Sequence, residues 1–510
     1  MPFIRKHWFS ILLAIYTLFS LLWLTRFPFV HSDESWLSGL TRQMMTLKSF
    51  QVTEPFFDLY PRNPHAIKLL FHTLQMPWIL TLGYSILSVR LMSLCFGIMT
   101  LITFRRVLIR LDISAATASL GTLLLGASSQ FVYASHTARQ EIVVLFFMLL
   151  ALERLLANRP WTGAAISAAG LWLHPNGFIA AGILFFITLL QKRRALPMVI
   201  LTHTLSLILI IAASLALDPH FFTNYLSYGD TLEVTADAAS RLENFRDFYL
   251  KLYHGISATY YNANLLPWLT ALPVIILADL LTKHKRASFV GFTAILVLNA
   301  ALLAIGRFNP TSILFAFPWV ILILMAALEK ADQFKTFSSH SKLNSLKLAG
   351  VPWRYRLLIL MIAFSVYGTA QEIMKTSEDD YTGYLTQIKS VVPSGSKVLG
   401  NLNTEYAFGP GELLDYRNLE FLEENNLTLY DYIETRGIRY IIMTDELAYI
   451  ARNPKWNILY GDVSKWLPEL ETLLAERGQE LIRFRDDTYS VRIARYIHTP
   501  EWFTTVYELK

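Results

Sequence analysis

The sequence predicts a polytopic α-helical membrane protein with a small α/β domain at its C-terminal end. Three observations lead there. Apolar residues make up 54% of the 510 and charged residues only 16%, whereas about 25% charged is usual in soluble domains. The apolar residues fall in long runs, separated by loops that are alternately rich and poor in Lys and Arg. Near residue 372 the composition changes: residues 372–510 hold 15 Lys and Arg against 23 Asp and Glu, leaving 30 and 16 for residues 1–371. The net charge of +6 is therefore the sum of a basic membrane part and an acidic tail. It is not the clustered basic face of a nucleic-acid binder, and no nucleic-acid partner is expected. The single cysteine, Cys95, lies inside an apolar run, which excludes a disulfide framework and a Cys-based metal cluster.

A spanning helix needs about 20 mostly apolar residues, with a range of about 17–25. Such runs lie near 8–25, 85–104, 114–132, 140–156, 160–173, 176–190, 196–217, 263–281, 288–305, 311–328 and 355–371. About eleven transmembrane helices are thus expected, those at 160–173 and 176–190 being short. A further apolar run at 66–83 contains Lys68, His72 and Pro77 and reads as interfacial. The segments "RRVLIR" (105–110), "ERLLANR" (153–159), "QKRR" (191–194), "KHKR" (283–286) and 329–356 are basic, as is the N-terminus with Arg5 and Lys6. The intervening loops 129–139, 173–176 and 306–310 are nearly free of Lys and Arg. By the positive-inside rule the N-terminus is cytoplasmic and the outer segments are 26–84, 218–262 and 372–510. The first run lacks a small-residue cleavage site and is expected to be a retained span. The expected organisation is a membrane domain over 1–371 and an extracytoplasmic domain over 372–510, integral to the plasma or inner membrane.

In the tail, "SKVLGN" (396–401), "IRYIIMT" (438–444), "ELIRF" (480–484) and "YSVRIARYI" (489–497) read as strands. "LTLYDYIETRG" (427–437) and "WLPELETLLAERG" (466–478) read as helices closed by glycine. Alternation of the two makes an α/β domain of about 130 residues, an ordinary domain size. "GPGE" (409–412) lacks the strand–turn–helix context of a phosphate loop.

The stretch "HSDESWLSG" (31–39) follows the first apolar run directly. An acidic pair just outside the bilayer is ordinarily a solvated turn or the charged first turn of a helix, here "DESWLSGLTRQMM". At the mouth of a helical bundle, the same pair can supply a general base.

The order of parts resembles the GT-C superfamily of integral-membrane glycosyltransferases, chiefly the branch of protein O-mannosyltransferases, lipid A aminoarabinose transferases and their bacterial relatives. Asp33 and Glu34, heading a long first outer loop, stand at that family's signature position. "LGYSILSVRLMSLCFGIMTLITF" (82–104) is similar to its Gly, short gap, Arg-Leu entry to the second span. "ASHTARQEIVVLFFMLLALERLL" (134–156) is similar to its Ala-Arg-x-acidic entry to the fourth. "LWLHPNG" (171–177) and "GRFNPTSILFAFPWVILI" (306–323) resemble later turns, with His174 and Phe308 where relatives often carry Lys and Tyr. "NPHAIK" (63–68) replaces a Lys-Pro-Pro or His-Pro-Pro entry.

The resemblance implies transfer of a sugar from a polyprenyl-phosphate-linked donor to a lipid, glycan or protein acceptor at the outer face. Such an inverting transfer needs one carboxylate to take the acceptor proton, and the phosphate leaves without a second carboxyl acid. The resemblance makes Asp33 the base, with Glu34 orienting it or tuning it by like-charge repulsion. The leaving phosphate needs fixed positive charge. Arg139 and Arg307, each at the outer end of a span, are candidates, with Glu141 as a further acidic residue of the site or as Arg139's structural partner. Arg307 could equally snorkel to headgroups. His174 and Asn176, in a short outer turn, are donor-headgroup candidates against a capping role, and His65 and Lys68 open the interfacial run. No metal is demanded, and a divalent cation between Asp33 or Glu34 and the donor phosphate is compatible with the sequence. The rival reading, a lipid or polysaccharide transporter or flippase, predicts internal repeats and mid-span charges; no repeat is present, and the ionisable residues gather at outer ends.

Overall fold

The computed structural model describes residues 2–60, 63–225, 238–253, 285–305, 310–335, 353–376, 380–453, 460–489 and 501–510. Its helices up to residue 217 are α1 (Pro2–Trp23), α2 (Ser32–Leu47), α3 (Leu69–Leu82), α4 (Ile86–Arg110), α5 (Ala115–Ala127), α6 (Ser129–His136), α7 (Glu141–Leu156), α8 (Pro160–Gly170), α9 (Gly177–Gln191) and α10 (Leu196–Leu217). Then come α11 (Ala238–Tyr253), α12 (Lys285–Ile305), α13 (Phe317–Lys335) and α14 (Trp353–Met374). The apolar runs expected to be helical fall on these elements, except that 311–316 forms a 3₁₀ segment and 263–281 lies outside the described residues. Five stretches among the described residues are long and apolar enough to cross a membrane: Ile86–Arg110, Arg193–Leu217, Arg286–Ala304, Thr311–Glu329 and Arg354–Met374. The run 114–132 is not one helix. Ser128 adopts an extended conformation, and its hydroxyl donates to Leu125 O at 2.7 Å, ending α5 before α6 begins.

The chain divides into two compact units. One comprises Met1–Trp23, Ala66–Phe71 and Met92–Lys375. Within it, small residues let helices approach closely, as expected where packing rather than water drives association. A Cβ on Gly163 of α8 would lie 2.8 Å from Ala151 O of α7, and one on Gly121 of α5 would lie 2.8 Å from the Met325 side chain of α13.

The second unit comprises Leu24–His65, His72–Leu91 and Thr376–Lys510. Its sheet contains β1 (Lys397–Gly400), β2 (Leu413–Asp415), β3 (Ile438–Thr444), β4 (Gly478–Arg485) and β5 (Phe503–Leu509), in the order β2-β1-β3-β5-β4. β1 runs parallel to β2 and β3, whereas β5 is antiparallel to both β3 and β4. The tail helices are α15 (Tyr381–Val391), α16 (Leu429–Arg436), α17 (Asp445–Arg452) and α18 (Val463–Arg477). Three of the four strands read from sequence are present, and the fourth, 489–497, lies almost wholly outside the described residues. Gly437 closes α16 with a left-handed backbone, φ 63°, where a glycine is favoured. Gly478 differs: it has φ −81° and starts β4, so α18 runs straight into a strand.

The core of this unit joins Leu399, Leu414, Tyr416, Tyr432, Ile441, Trp466 and Leu470 to Leu59 from the segment between α2 and α3. The segment is tied in at several points. Phe56 O accepts from Asp415 N at 3.0 Å and from Asn418 Nδ2 at 2.9 Å. Tyr432 donates to Asp58 at 2.8 Å, and the ring of Tyr60 stacks on Phe421 with centroids 4.3 Å apart. Segments more than 300 residues apart in sequence thus share one core.

Candidate active site

The acidic pair sits in the first turn of α2, which His31 caps. The His31 backbone is extended, its Nδ1 accepts from Asp33 N at 3.1 Å, and its own N–H donates to Glu34 Oε1 at 3.1 Å. This reciprocal cap satisfies two backbone donors that a helix start leaves open. It also places two carboxylates where the helix dipole favours negative charge.

The neighbouring carboxylates meet different surroundings. Glu34 is fully buried, and Arg90 from the first turns of α4 grips it through Nε to Oε2 at 2.8 Å and Nη2 to Oε1 at 2.6 Å. The remaining Arg90 nitrogen donates to Leu24 O and Pro28 O, each at 2.8 Å. Burying two charges costs several kcal/mol per ion unless donors and acceptors are matched; here every guanidinium nitrogen has a partner. Asp33 lies 3.7 Å from His31 Nδ1, and its side chain remains 30% exposed. One carboxylate is locked and the other is accessible.

Two further groups of candidates lie in the other unit. Lys68 is in a 3₁₀ turn, Ala66–Lys68, that leads into α3. Leu70 N donates to Trp172 O at 3.1 Å, and Ile67 packs with Leu171, Ile210 and Phe221. Lys68 is thereby brought beside the turn that carries His174 and Asn176. In that turn His174 Nδ1 accepts from Asn176 N at 3.1 Å. Gly177 follows because a Cβ there would lie 2.2 Å from Gly170 O. His65 lies in the unit that holds α2. Arg139 and Glu141 form a bridge, Nη2 to Oε1 at 2.9 Å, and Thr311 donates to the same oxygen at 3.2 Å. Arg307 lies outside the described residues, as does much of the segment 218–262. Among the described residues no group of three or more His, Cys, Asp or Glu is arranged to hold a metal ion.

No family model matches the sequence, and no curated protein matches it. Solved structures do. ArnT from Cupriavidus metallidurans in the apo state is 12% identical and superposes with a TM-score of 0.64, over 99% of this chain and 98% of its own. The same protein bound to undecaprenyl phosphate gives 0.61, over 98% of each chain, again at 12% identity. An oligosaccharyltransferase from Archaeoglobus fulgidus, tethered to an acceptor peptide with an NVT sequon, gives 0.54 at 12% identity, over 94% of this chain and 73% of its own. This chain has a GT-C fold.

Around α2, the chain uses residues that the sequence did not single out. Arg42, two turns after Glu34, donates from Nη1 to Phe408 O at 2.7 Å and from Nη2 to the Glu405 carboxylate. Its guanidinium lies 4.0 Å over the ring of Tyr84, which stacks on Tyr406 with centroids 4.9 Å apart. Burial outweighs the pull of Arg42 on Glu405, pushing that carboxyl up to about 8. Burial also raises the Tyr84 and Tyr406 phenols, keeping them protonated as donors. The available signal was Arg90 itself, an arginine inside an apolar run, which must face a partner within the bundle or reach water. Arg42 and Glu405 gave no local signal, being 363 residues apart.

Proposed function

We propose that this chain is a membrane glycosyltransferase that moves a sugar from a polyprenyl-phosphate-linked donor to a lipid, glycan or protein acceptor outside the membrane. The observation that carries the proposal is the division of labour in the acidic pair. Glu34 is clamped by Arg90 and orients the turn, which leaves Asp33 as the accessible carboxylate at the head of the outer loop. Asp33 takes the acceptor hydroxyl proton as that oxygen attacks the anomeric carbon, and the bond to the polyprenyl phosphate breaks. Lys68, with the His174–Asn176 turn, meets the donor phosphate or headgroup; His65, Arg139 and Arg307 are further ligands for it, and Glu141 sets the charge of Arg139. The fold shared with ArnT, seen with undecaprenyl phosphate, supports this donor class. In this reading the N-terminus is cytoplasmic and residues 372–510 are extracytoplasmic.

The test is transfer by the purified protein from a panel of labelled polyprenyl-phosphate sugars into a membrane extract. Asp33→Asn should lower turnover by about 10²–10⁴-fold, the worth of a general base, while donor binding stays near wild type. Lys68→Ala should weaken donor binding together with rate, because the phosphate is charged before and during transfer. Full activity in Asp33→Asn would remove the base assignment. No transfer from any donor by the wild-type protein would remove the transferase reading.

A further inference from the structure

We propose that Glu405 and Tyr406, in the C-terminal part of the chain, are positioning residues for Asp33: they hold α2 by its Ser38–Arg42 face and so fix how its first turn presents the carboxylate. The inference rests on the transferase reading for the role of Asp33 and goes beyond it in assigning work to the tail. Ser38 carries the link. Its hydroxyl donates to Glu34 O at 2.7 Å, while the hydroxyls of Tyr406 and Tyr84 lie 2.8 Å and 3.1 Å from it. A serine hydroxyl has one proton and two lone pairs. With its proton given to Glu34 O, it accepts from both tyrosines, and its capacity is filled. Tyr406 is therefore one side chain away from the backbone of the residue that follows Asp33.

One turn further on, Arg42 binds the Glu405 carboxylate and Phe408 O, so that the tail grips the same helix face twice. The approach is close enough to require a glycine between the two grips. A Cβ on Gly39 would lie 2.8 Å from the Phe56 ring and 3.2 Å from Glu405 Oε1. A buried arginine–carboxyl contact is a poor way to gain stability, since apolar residues of similar volume often do as well or better. What the Arg42–Glu405 pair supplies is a fixed direction. With Arg90 holding Glu34 at the first turn and the tail holding Ser38 and Arg42, α2 can neither rotate about its axis nor tilt. A displacement of about 1 Å at a reacting group can cost about 10²-fold in rate.

The experiment uses the full-length protein and the variants Glu405→Gln and Tyr406→Phe, both close in shape to the originals. It measures amide hydrogen exchange of residues 32–38, binding of polyprenyl phosphate, and turnover at saturating donor. The inference expects faster exchange in 32–38, polyprenyl phosphate affinity within about twofold, and turnover lower by about 10–10²-fold. Unchanged exchange together with full turnover in both variants would overturn it, and so would loss of turnover that appears only with loss of folded protein. If Glu405→Gln does not fold, Tyr406→Phe decides alone, because it removes one hydroxyl and no charge. The exchange arm needs no substrate. Loosened 32–38 in a protein whose wild type transfers no sugar would sink the transferase reading and leave the positioning of α2 standing.

Discussion

Both units contain buried arginine–glutamate pairs, and two of them, one from each unit, are built in opposite ways. Arg139 and Glu141 are two residues apart and close on each other at 2.9 Å, and Thr311 donates to the same carboxylate oxygen. Arg90 and Glu34 are 56 residues apart, meet at 2.8 Å and 2.6 Å, and the arginine gathers two backbone carbonyls as well. A local pair joins side chains of a single turn. A distant pair fastens two elements together, and here it engages one member of an acidic doublet while the other keeps 30% of its side chain exposed. Proximity in sequence is thus a weak guide to which charges organise a site.

The largest effect that would test this contrast is at Arg90. Arg90→Ala takes the guanidinium from the buried Glu34 carboxylate and should cost about 3–5 kcal/mol of stability, read as a lowered thermal midpoint. The double variant Arg90→Leu with Glu34→Leu should recover much of that loss, since no unpaired charge remains. If Arg90→Ala is as stable as wild type, the clamp is not what holds the turn. A smaller effect is expected at Arg139. Arg139→Ala leaves Glu141 near the membrane boundary with the Thr311 hydroxyl and should cost about 1–3 kcal/mol. Donor affinity sharpens the comparison there: a tenfold or greater loss on Arg139→Ala would mean that this arginine meets phosphate in addition to bridging Glu141.

A further test is a pH slope from Glu405. Its folded carboxyl stands at about 8 against 4.5 when exposed, raised by burial and by Glu412 and lowered by Arg42. The folded chain therefore holds the proton more tightly, so stability is fullest below about 4.5 and falls as pH rises through about 8. Glu405→Gln should flatten the slope of the thermal midpoint between those values, and an unaltered slope would assign it to another group.

The helical part of the fold was legible because a bilayer imposes length and hydrophobicity on each span, and runs such as 196–217 and 355–371 need no tertiary knowledge to be found. Asp33 and Glu34 were legible as a pair by their place after the first run. Their difference was not, because it depends on Arg90, which arrives from another helix. In the tail, β3 with "IRYIIMT" and α16 with its closing Gly437 were plain. β2 is three residues long, "LLD", below the length at which a pattern can be read, and β5, "FTTVYEL", mixes polar and apolar residues because its neighbours on both sides are strands. The grip of Glu405 on Arg42 could not be read at all, since nothing in either local sequence names the other.

The order β2-β1-β3-β5-β4 puts a strand ending at Leu509 inside the sheet, between β3 and β4. That has a consequence for synthesis. At about 5–20 residues per second, the 363 residues from Arg42 to Glu405 take roughly 20–70 s to make. Throughout that interval, while the intervening helices are being made, the segment that bears Asp33 waits outside its final setting. Even then the sheet lacks an inner strand until some hundred further residues have followed (roughly 5–20 s more). The turn that bears Asp33 is made long before the residues that complete its setting.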